Sequence, residues 1–166
     1  MVVKGYIIDT IDELDKLYNQ ATSQKKAIYY SKLALLELCG WLEETMDNII
    51  EMHCNRNLIE KANKKSFKDD YIKPVYGFQY KQHFRPMLMS AIGIIELEKI
   101  EIELEKSGKI TILKTELGNL RNVRNDAAHT FLRGVTRTYD APSRTKGNFL
   151  RLYPILKEID DILRDQ

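Results

Sequence analysis

The feature that most constrains the fold is a long segment, from about Gln24 to about His53, in which apolar residues recur at steps of three and four. This spacing places the apolar side chains on one face of an α-helix, where they can be buried together. We therefore predict that the segment forms the central core helix. The recurring apolar positions are Ile28, Leu35, Leu38, Leu42, Met46 and Ile49.

Helical periodicity extends over most of the chain, and no segment shows sustained two-residue alternation bounded by Asn-Gly or Asp-Gly turns. The sequence therefore predicts an all-α fold, an antiparallel multi-helix bundle of about five to six helices. A first helix is expected to start at Thr10, which has capping-box spacing to Glu13. Further helices are predicted over about 84–106, 110–132 and 146–164, with a short helical piece over 58–65 and an irregular loop over 66–80.

The length and hydrophobicity of the chain fit one folding unit. With 166 residues, 43% of them hydrophobic, the chain can bury its own core, and we predict a single domain over 1–166. No apolar run reaches the roughly 18 residues of a membrane span, and residues 1–9 lack a secretion-signal pattern. We therefore expect a cytoplasmic protein without a membrane partner. Cys39 and Cys54 would lie roughly 22 Å apart on the core helix, so we expect free thiols.

Positive charge is concentrated in one region of the sequence. The formal net charge of +2 gives no argument for nucleic acid, but the segment 121–151 has a clear cationic excess. Such an excess could hold a phosphate backbone, or it could be a solvated face offset by the acidic stretch 96–105. The cations are Arg121, Arg124, Arg133, Arg137, Arg144, Lys146 and Arg151, against Asp126 and Asp140.

The most informative segment is 120–131, Leu-Arg-Asn-Val-Arg-Asn-Asp-Ala-Ala-His-Thr-Phe. Arg124 is followed directly by the amide Asn125, and His129 comes after four intervening residues. A guanidinium binds phosphate in two places, and an imidazole titrates near neutral pH. The segment resembles the defining motif of the HEPN superfamily, an arginine, then Asn, Asp or His, and then a histidine after four to six residues.

The resemblance implies a helical, metal-independent endoribonuclease of a toxin or antiphage-defence type. His129 would act as general acid or base, Arg124 would stabilise charge on the phosphoryl group, and Asn125 would orient the pair. No metal or other cofactor is implied, because the RNA supplies its own 2′-hydroxyl as the nucleophile. Arg121, Asn122, Arg133 and Arg137 are the candidate RNA-binding residues beside the motif.

Helical geometry constrains how this motif can work. Residues five apart on a helix point roughly 140° away from one another, so Arg124 must reach round or the helix must bend to meet His129. The usual arrangement in the family is a homodimer, in which two copies of the motif form one composite cleft. Many family members also place an acidic side chain near the motif, and the candidates here are Glu43, Glu44 and Asp47.

The sequence departs from one subgroup of such toxins. Those that a partner nucleotidyltransferase adenylylates usually have a tyrosine two residues after the histidine, whereas this chain has Phe131. That mode of regulation is therefore in doubt for this chain. An antitoxin or nucleotidyltransferase-like partner remains among the partners that the resemblance implies, together with RNA and a second copy of the chain.

Two other functions remain open from the sequence. The chain could be a HEPN-like RNA- or nucleotide-binding module without cleavage activity, or a helical scaffold partner in which the motif has no chemical role. Tyr71, Tyr76, Phe78 and Tyr80, interleaved with Lys68, Lys73 and Lys81, could stack RNA bases or form a packed lid over the bundle. His53 and His83 each stand alone in the sequence, so no zinc site is predicted.

Overall fold

A computed structural model of the chain describes residues 2–129 and 138–165. Within these residues the fold is all-α, as predicted, and no strand is present. Two π-helical turns, Lys68–Ile72 and Tyr80–Phe84, precede the fourth α-helix. The α-helices are α1 (Gly5–Asn19), α2 (Gln24–Asn57), α3 (Lys61–Phe67), α4 (Arg85–Lys106), α5 (Lys109–His129) and α6 (Pro142–Arg164).

Helix α2 is the centre of the bundle and packs against α1, α4, α5 and α6. The six apolar positions that predicted this helix are all buried. Burial of one such side chain stabilises the fold by roughly 1.5–3 kcal/mol, so this face is a major part of the core. Ser23 caps the start of α2, because its Oγ accepts a hydrogen bond from the Lys26 backbone N–H at 3.3 Å. The helix continues to Asn57, four residues beyond the predicted end, with Cys54 also buried.

Two helix starts differ from the prediction. The predicted capping box at Thr10 is wrong, because α1 begins at Gly5 and buries Ile7 as well as Ile11 on one stripe. Helix α6 begins at Pro142 rather than Lys146. Proline suits the first turn of a helix, because its φ is already helical and it has no N–H to leave unpaired.

The first half of the segment predicted as a loop over 66–80 is helical. Helix α3 runs into the first π-helical turn, and an irregular stretch over 73–79 leads to the second. Phe78 and Tyr80 are buried, which supports the packed lid for these two rings, whereas Tyr71 and Tyr76 are exposed. Charged residues lie between the aromatic residues of this segment, so its sequence shows no regular apolar spacing that would predict a helix.

Helix α4 is broken at Gly93, whose φ of 76° and ψ of 165° are available almost only to glycine. The first half of α4 is rich in apolar residues, but it is not buried on every side. Met87 and Leu88 are buried, but Met89, Ile94 and Ile95 are exposed. Among the described residues, no helix is long and apolar enough to span a membrane.

Candidate functional site

Arg124 lies on the inward-facing stripe of α5. Leu113, Leu117, Leu120 and Ala127 are buried at spacings of three and four, and Arg124 falls between the last two. An arginine at such a position must pair its charge, because burying an unpaired guanidinium is strongly unfavourable. The helix therefore directs Arg124 toward the elements that pack beside α5.

Three groups surround the Arg124 guanidinium. A carboxylate oxygen of Glu43 on α2 lies 3.5 Å from Nη2, and Nη1 donates a hydrogen bond to Oδ1 of Asn125 at 3.3 Å. The guanidinium carbon also lies 6.0 Å from the centre of the buried Phe78 ring, within cation–π range. About a third of the Arg124 side chain, 32%, stays exposed, so it can still meet a ligand.

Arg124 opens onto a cleft of about 180 Å³ between α5 and the segment that precedes α4. Arg121 and Asn125 border the cleft from α5, and Tyr76 and His83 border it from the other side. Arg121 is exposed, so the cleft has two guanidinium groups at its edge. Such an arrangement can bind a phosphate group.

His83 lies on the second π-helical turn, and its ring is fixed from two sides. The Gln79 backbone N–H donates a hydrogen bond to Nδ1 of His83 at 3.0 Å. Gly77 packs against the ring on another side. Burial lowers the pKa of His83, Arg121 and Arg124 lower it further, and Glu43 opposes them.

A buried polar group anchors the turn that carries His83. The Tyr80 hydroxyl donates a hydrogen bond to Oε1 of Glu101 at 2.9 Å. Arg85 holds both oxygens of the same carboxylate, with Nε at 2.8 Å and Nη2 at 3.0 Å. The hydrogen bonds from Arg85 hold the pKa of Glu101 below its usual value, so this carboxylate stays charged. The start of the turn is thereby tied to α4 through Tyr80, and Arg85, the first residue of α4, holds the same carboxylate.

We predict that Gly77→Ala destabilises the protein by about 1–3 kcal/mol. Gly77 has a φ of 132°, which an L side chain rarely adopts, and an added Cβ would lie 2.7 Å from Cε1 of His83. The change therefore strains the backbone and displaces the imidazole. Urea denaturation followed by circular dichroism measures the loss.

Gly118→Ala is the matched control for that prediction. Gly118 lies inside α5, and a Cβ there meets no other atom within 4 Å. Alanine is expected to raise the free energy of unfolding by up to about 1 kcal/mol. Equal stability of Gly77→Ala and wild type would contradict the proposed close packing of His83 on Gly77.

The three acidic candidates differ in their surroundings. Glu43 lies 3.5 Å from Arg124, and it also borders a second cleft together with the exposed Glu44 and the half-buried Asp47. Desolvation by burial raises the pKa of Asp47 to about 6, and the neighbouring carboxylates of Glu43, Glu51 and Glu44 add to the effect.

We predict that Asp47→Asn stabilises the protein at pH 7.5 by about 1 kcal/mol, a figure reduced for partial exposure. The folded pKa lies above the unfolded one, so the folded state holds a proton that the unfolded state releases. Wild-type stability therefore falls as pH rises from about 4 through about 6, and the variant avoids this loss.

Urea denaturation at pH 4 and at pH 7.5 tests the Asp47 prediction. The stabilisation should be present at pH 7.5 and absent at pH 4. Glu13→Gln removes one negative charge from an exposed position on α1 and is expected to change stability little at either pH. A variant no more stable than wild type at pH 7.5 would contradict the raised pKa of Asp47.

The remaining sequence-predicted residues fall into two groups. Asn122 is exposed on α5, one residue after Arg121. His129 is the last residue of α5, and its side chain lies outside the described part of the chain, as do Arg133 and Arg137. The structure thus brings Arg121, Arg124 and Asn125 to one cleft and pairs Arg124 with Glu43.

The sequence did not predict His83 as part of this site, and it gave Phe78 as a base-stacking or lid residue without a link to Arg124. His83 lies 41 positions before Arg124, and no periodic pattern connects the two. One faint signal exists, a glycine and several aromatic residues just before a histidine, but it does not indicate which helix the segment contacts.

The comparison with protein families gives a clear result. The profile of the RiboL-PSP-HEPN family matches residues 6–166 of the chain, which include α2 to α6, α1 except for Gly5, and the whole of the segment 120–131. Searches of curated proteins and of solved structures gave no match. Because the family match covers nearly the whole sequence and agrees with the motif at Arg124, Asn125 and His129, the chain belongs to the RiboL-PSP-HEPN family of HEPN domains.

Proposed function

We propose that the chain is a metal-independent endoribonuclease of a toxin or antiphage-defence type, acting as a homodimer with a composite Arg/His site. Membership of a HEPN family points to an RNase-like or RNA-binding function. The observation that carries the cleavage proposal is the position of Arg124. A partly exposed guanidinium, paired with Glu43 and Asn125, borders a cleft that has a second arginine at its edge.

Each residue of the motif has a defined role in this proposal. The 2′-hydroxyl of the RNA loses its proton to a base, its oxygen attacks the adjacent phosphorus, and the bond from phosphorus to the 5′-oxygen breaks. His129 transfers protons at these oxygens, and Arg124 stabilises the negative charge that develops on the phosphoryl group. The products are a 2′,3′-cyclic phosphate end and a 5′-hydroxyl end.

Asn125 and Glu43 act through Arg124 and are positioning residues. Asn125 accepts a hydrogen bond from Nη1, and Glu43 contacts Nη2, so two different edges of the guanidinium are held. A long, flexible side chain held in this way loses less conformational freedom when it binds phosphate. Glu44 and Asp47 have no part in this proposal, because the carboxylate that pairs with Arg124 is that of Glu43.

The spacing of the motif in the sequence supports the homodimer in the proposal. Positions five apart on an ideal helix diverge by roughly 140°, and Arg124 and His129 have this spacing in the sequence. A second copy related by a two-fold axis would bring its own His129 toward Arg124.

Cleavage of total RNA by the purified protein, with EDTA present, tests the proposed function. We expect wild type to produce fragments with cyclic-phosphate ends, and expression of the protein to arrest bacterial growth. A protein that binds RNA but does not cut it would support the non-catalytic alternative, which the exposed Tyr76 beside the two arginines favours. A protein that neither binds nor cuts RNA would support the scaffold alternative.

A further inference from the structure

We propose that His83 is a neutral hydrogen-bond donor to RNA phosphate, whose Nε2–H binds a non-bridging oxygen in the cleft bordered by Arg121 and Arg124. This inference rests on the proposed function, because it names a further contact for the same RNA. It adds a residue from the π-helical turn before α4 to a site otherwise built from α5.

The first argument is the hydrogen bond at Nδ1. Nδ1 accepts from the Gln79 backbone N–H at 3.0 Å, and a protonated nitrogen cannot accept. While this bond is present, the ring proton must therefore be on Nε2. The bond is local and well supported, because the backbone N–H groups of His83 and Phe84 both donate to the Gln79 carbonyl, at 3.0 and 3.1 Å.

The second argument is the surroundings of Nε2. The imidazole borders the cleft, and within the described ranges 2–129 and 138–165 no group forms a hydrogen bond with Nε2. The residue is also only partly buried, so Nε2–H can meet a ligand. A donor fixed in direction and open to a cleft lined by arginines suits an anionic oxygen.

The third argument is the charge around the ring. Arg121 and Arg124 approach it from α5, and Glu43 approaches it from α2. Burial and the two arginines disfavour the imidazolium, and together they outweigh Glu43. Histidine ordinarily titrates near pH 6.5, so a lowered pKa keeps His83 neutral at pH 7.

These features give His83 a role different from that of His129. A neutral ring with its proton on Nε2 and its Nδ1 already bonded has no free lone pair to accept the 2′-hydroxyl proton. It can only donate a hydrogen bond, and it can do so without changing its protonation state. A neutral imidazole can act as an electrophile in this way when its pKa is lowered.

Two matched variants separate the hydrogen bond that Nε2–H would donate to phosphate from the hydrogen bond that Nδ1 accepts from Gln79. His83→Asn keeps an oxygen near the Nδ1 position, which can accept from the Gln79 N–H, but lacks the donor at the Nε2 position. His83→Gln places an amide N–H near the Nε2 position. The probe is a single-stranded 2′-O-methyl oligoribonucleotide, which cannot be cleaved because its 2′-oxygen is blocked.

We expect the asparagine variant to bind the probe about tenfold more weakly than wild type, and the glutamine variant to bind within about threefold of wild type. In ¹⁵N spectra of the full chain at pH 7, His83 should be neutral with its proton on Nε2, and the probe should shift that signal. Unchanged binding in both variants, a proton on Nδ1, a charged ring at pH 7, or no binding of the probe to wild type would overturn the proposal.

The outcome for His83 can be separated from the outcome for the ribonuclease. Cleavage of unmodified RNA by wild type, together with unchanged probe binding in His83→Asn, would sustain the proposed function and reject the role of His83. Loss of probe binding in His83→Asn, together with no cleavage by wild type, would sustain the role of His83 in an RNA-binding module. Circular dichroism of each variant confirms that it is folded.

Discussion

The Arg124→Ala variant is expected to cleave RNA at least about a hundredfold more slowly than wild type. Removal of one donor that stabilises charge in a transition state typically slows a reaction by about 10²–10³-fold. Arg124 is suited to that role because its guanidinium is already oriented by Glu43 and Asn125 while part of it faces the cleft. Single-turnover cleavage of one defined RNA, with protein in excess, measures the chemical step directly.

Arg124→Lys refines the same prediction. Lysine keeps the positive charge but cannot hold Glu43, Asn125 and a phosphate through a planar fork. We expect this variant to recover part of the lost rate and to remain about tenfold below wild type. Its behaviour distinguishes a requirement for charge from a requirement for the guanidinium shape.

The control for the arginine variants is Lys157→Gln. It removes one positive charge from an exposed position on α6, where Lys157 pairs with Asp161. We expect its cleavage rate to equal that of wild type, because the pair is local to α6. A rate within about threefold of wild type for Arg124→Ala, in a protein that still cleaves RNA, would remove Arg124 from the proposed mechanism.

The bundle was predictable because its helices are strongly periodic. The apolar stripe of α2 has one orientation that buries all six positions, and the structure buries them. The segment 61–84 was not predictable in the same way. Its two π-helical turns do not follow the ordinary helical period, and charged residues lie between its buried aromatic rings. Two helices begin earlier than predicted, because α1 includes the buried Ile7 and α6 starts at Pro142.

The candidate site shows a similar division. A short motif gave Arg124 and Asn125, because both lie on one helix and their spacing is visible in the sequence. Glu43 was one of three acidic candidates, and only packing of α2 against α5 distinguishes it from Glu44 and Asp47. The orientation of the His83 ring depends on a hydrogen bond from the Gln79 backbone and on contact with Gly77. No periodic pattern in the sequence predicts these two contacts.

The composite site leads to a second large effect, rescue of two inactive variants by each other. Arg124→Ala and His129→Ala homodimers should each be at least about a hundredfold slower than wild type. In a heterodimer of the two, one pairing across the interface keeps both an intact Arg124 and an intact His129. We therefore expect about half of the wild-type rate, since one of two symmetric pairings survives. Two different affinity tags on co-expressed chains allow the heterodimer to be purified.

A reciprocal heterodimer makes this test decisive. When one chain is wild type and the other contains both substitutions, every pairing across the interface lacks either Arg124 or His129. A composite site then predicts an inactive heterodimer, whereas a site within one chain predicts about half of the wild-type rate. The two models thus predict opposite results for the two heterodimers. A protein that is monomeric by light scattering yet fully active would exclude the composite site.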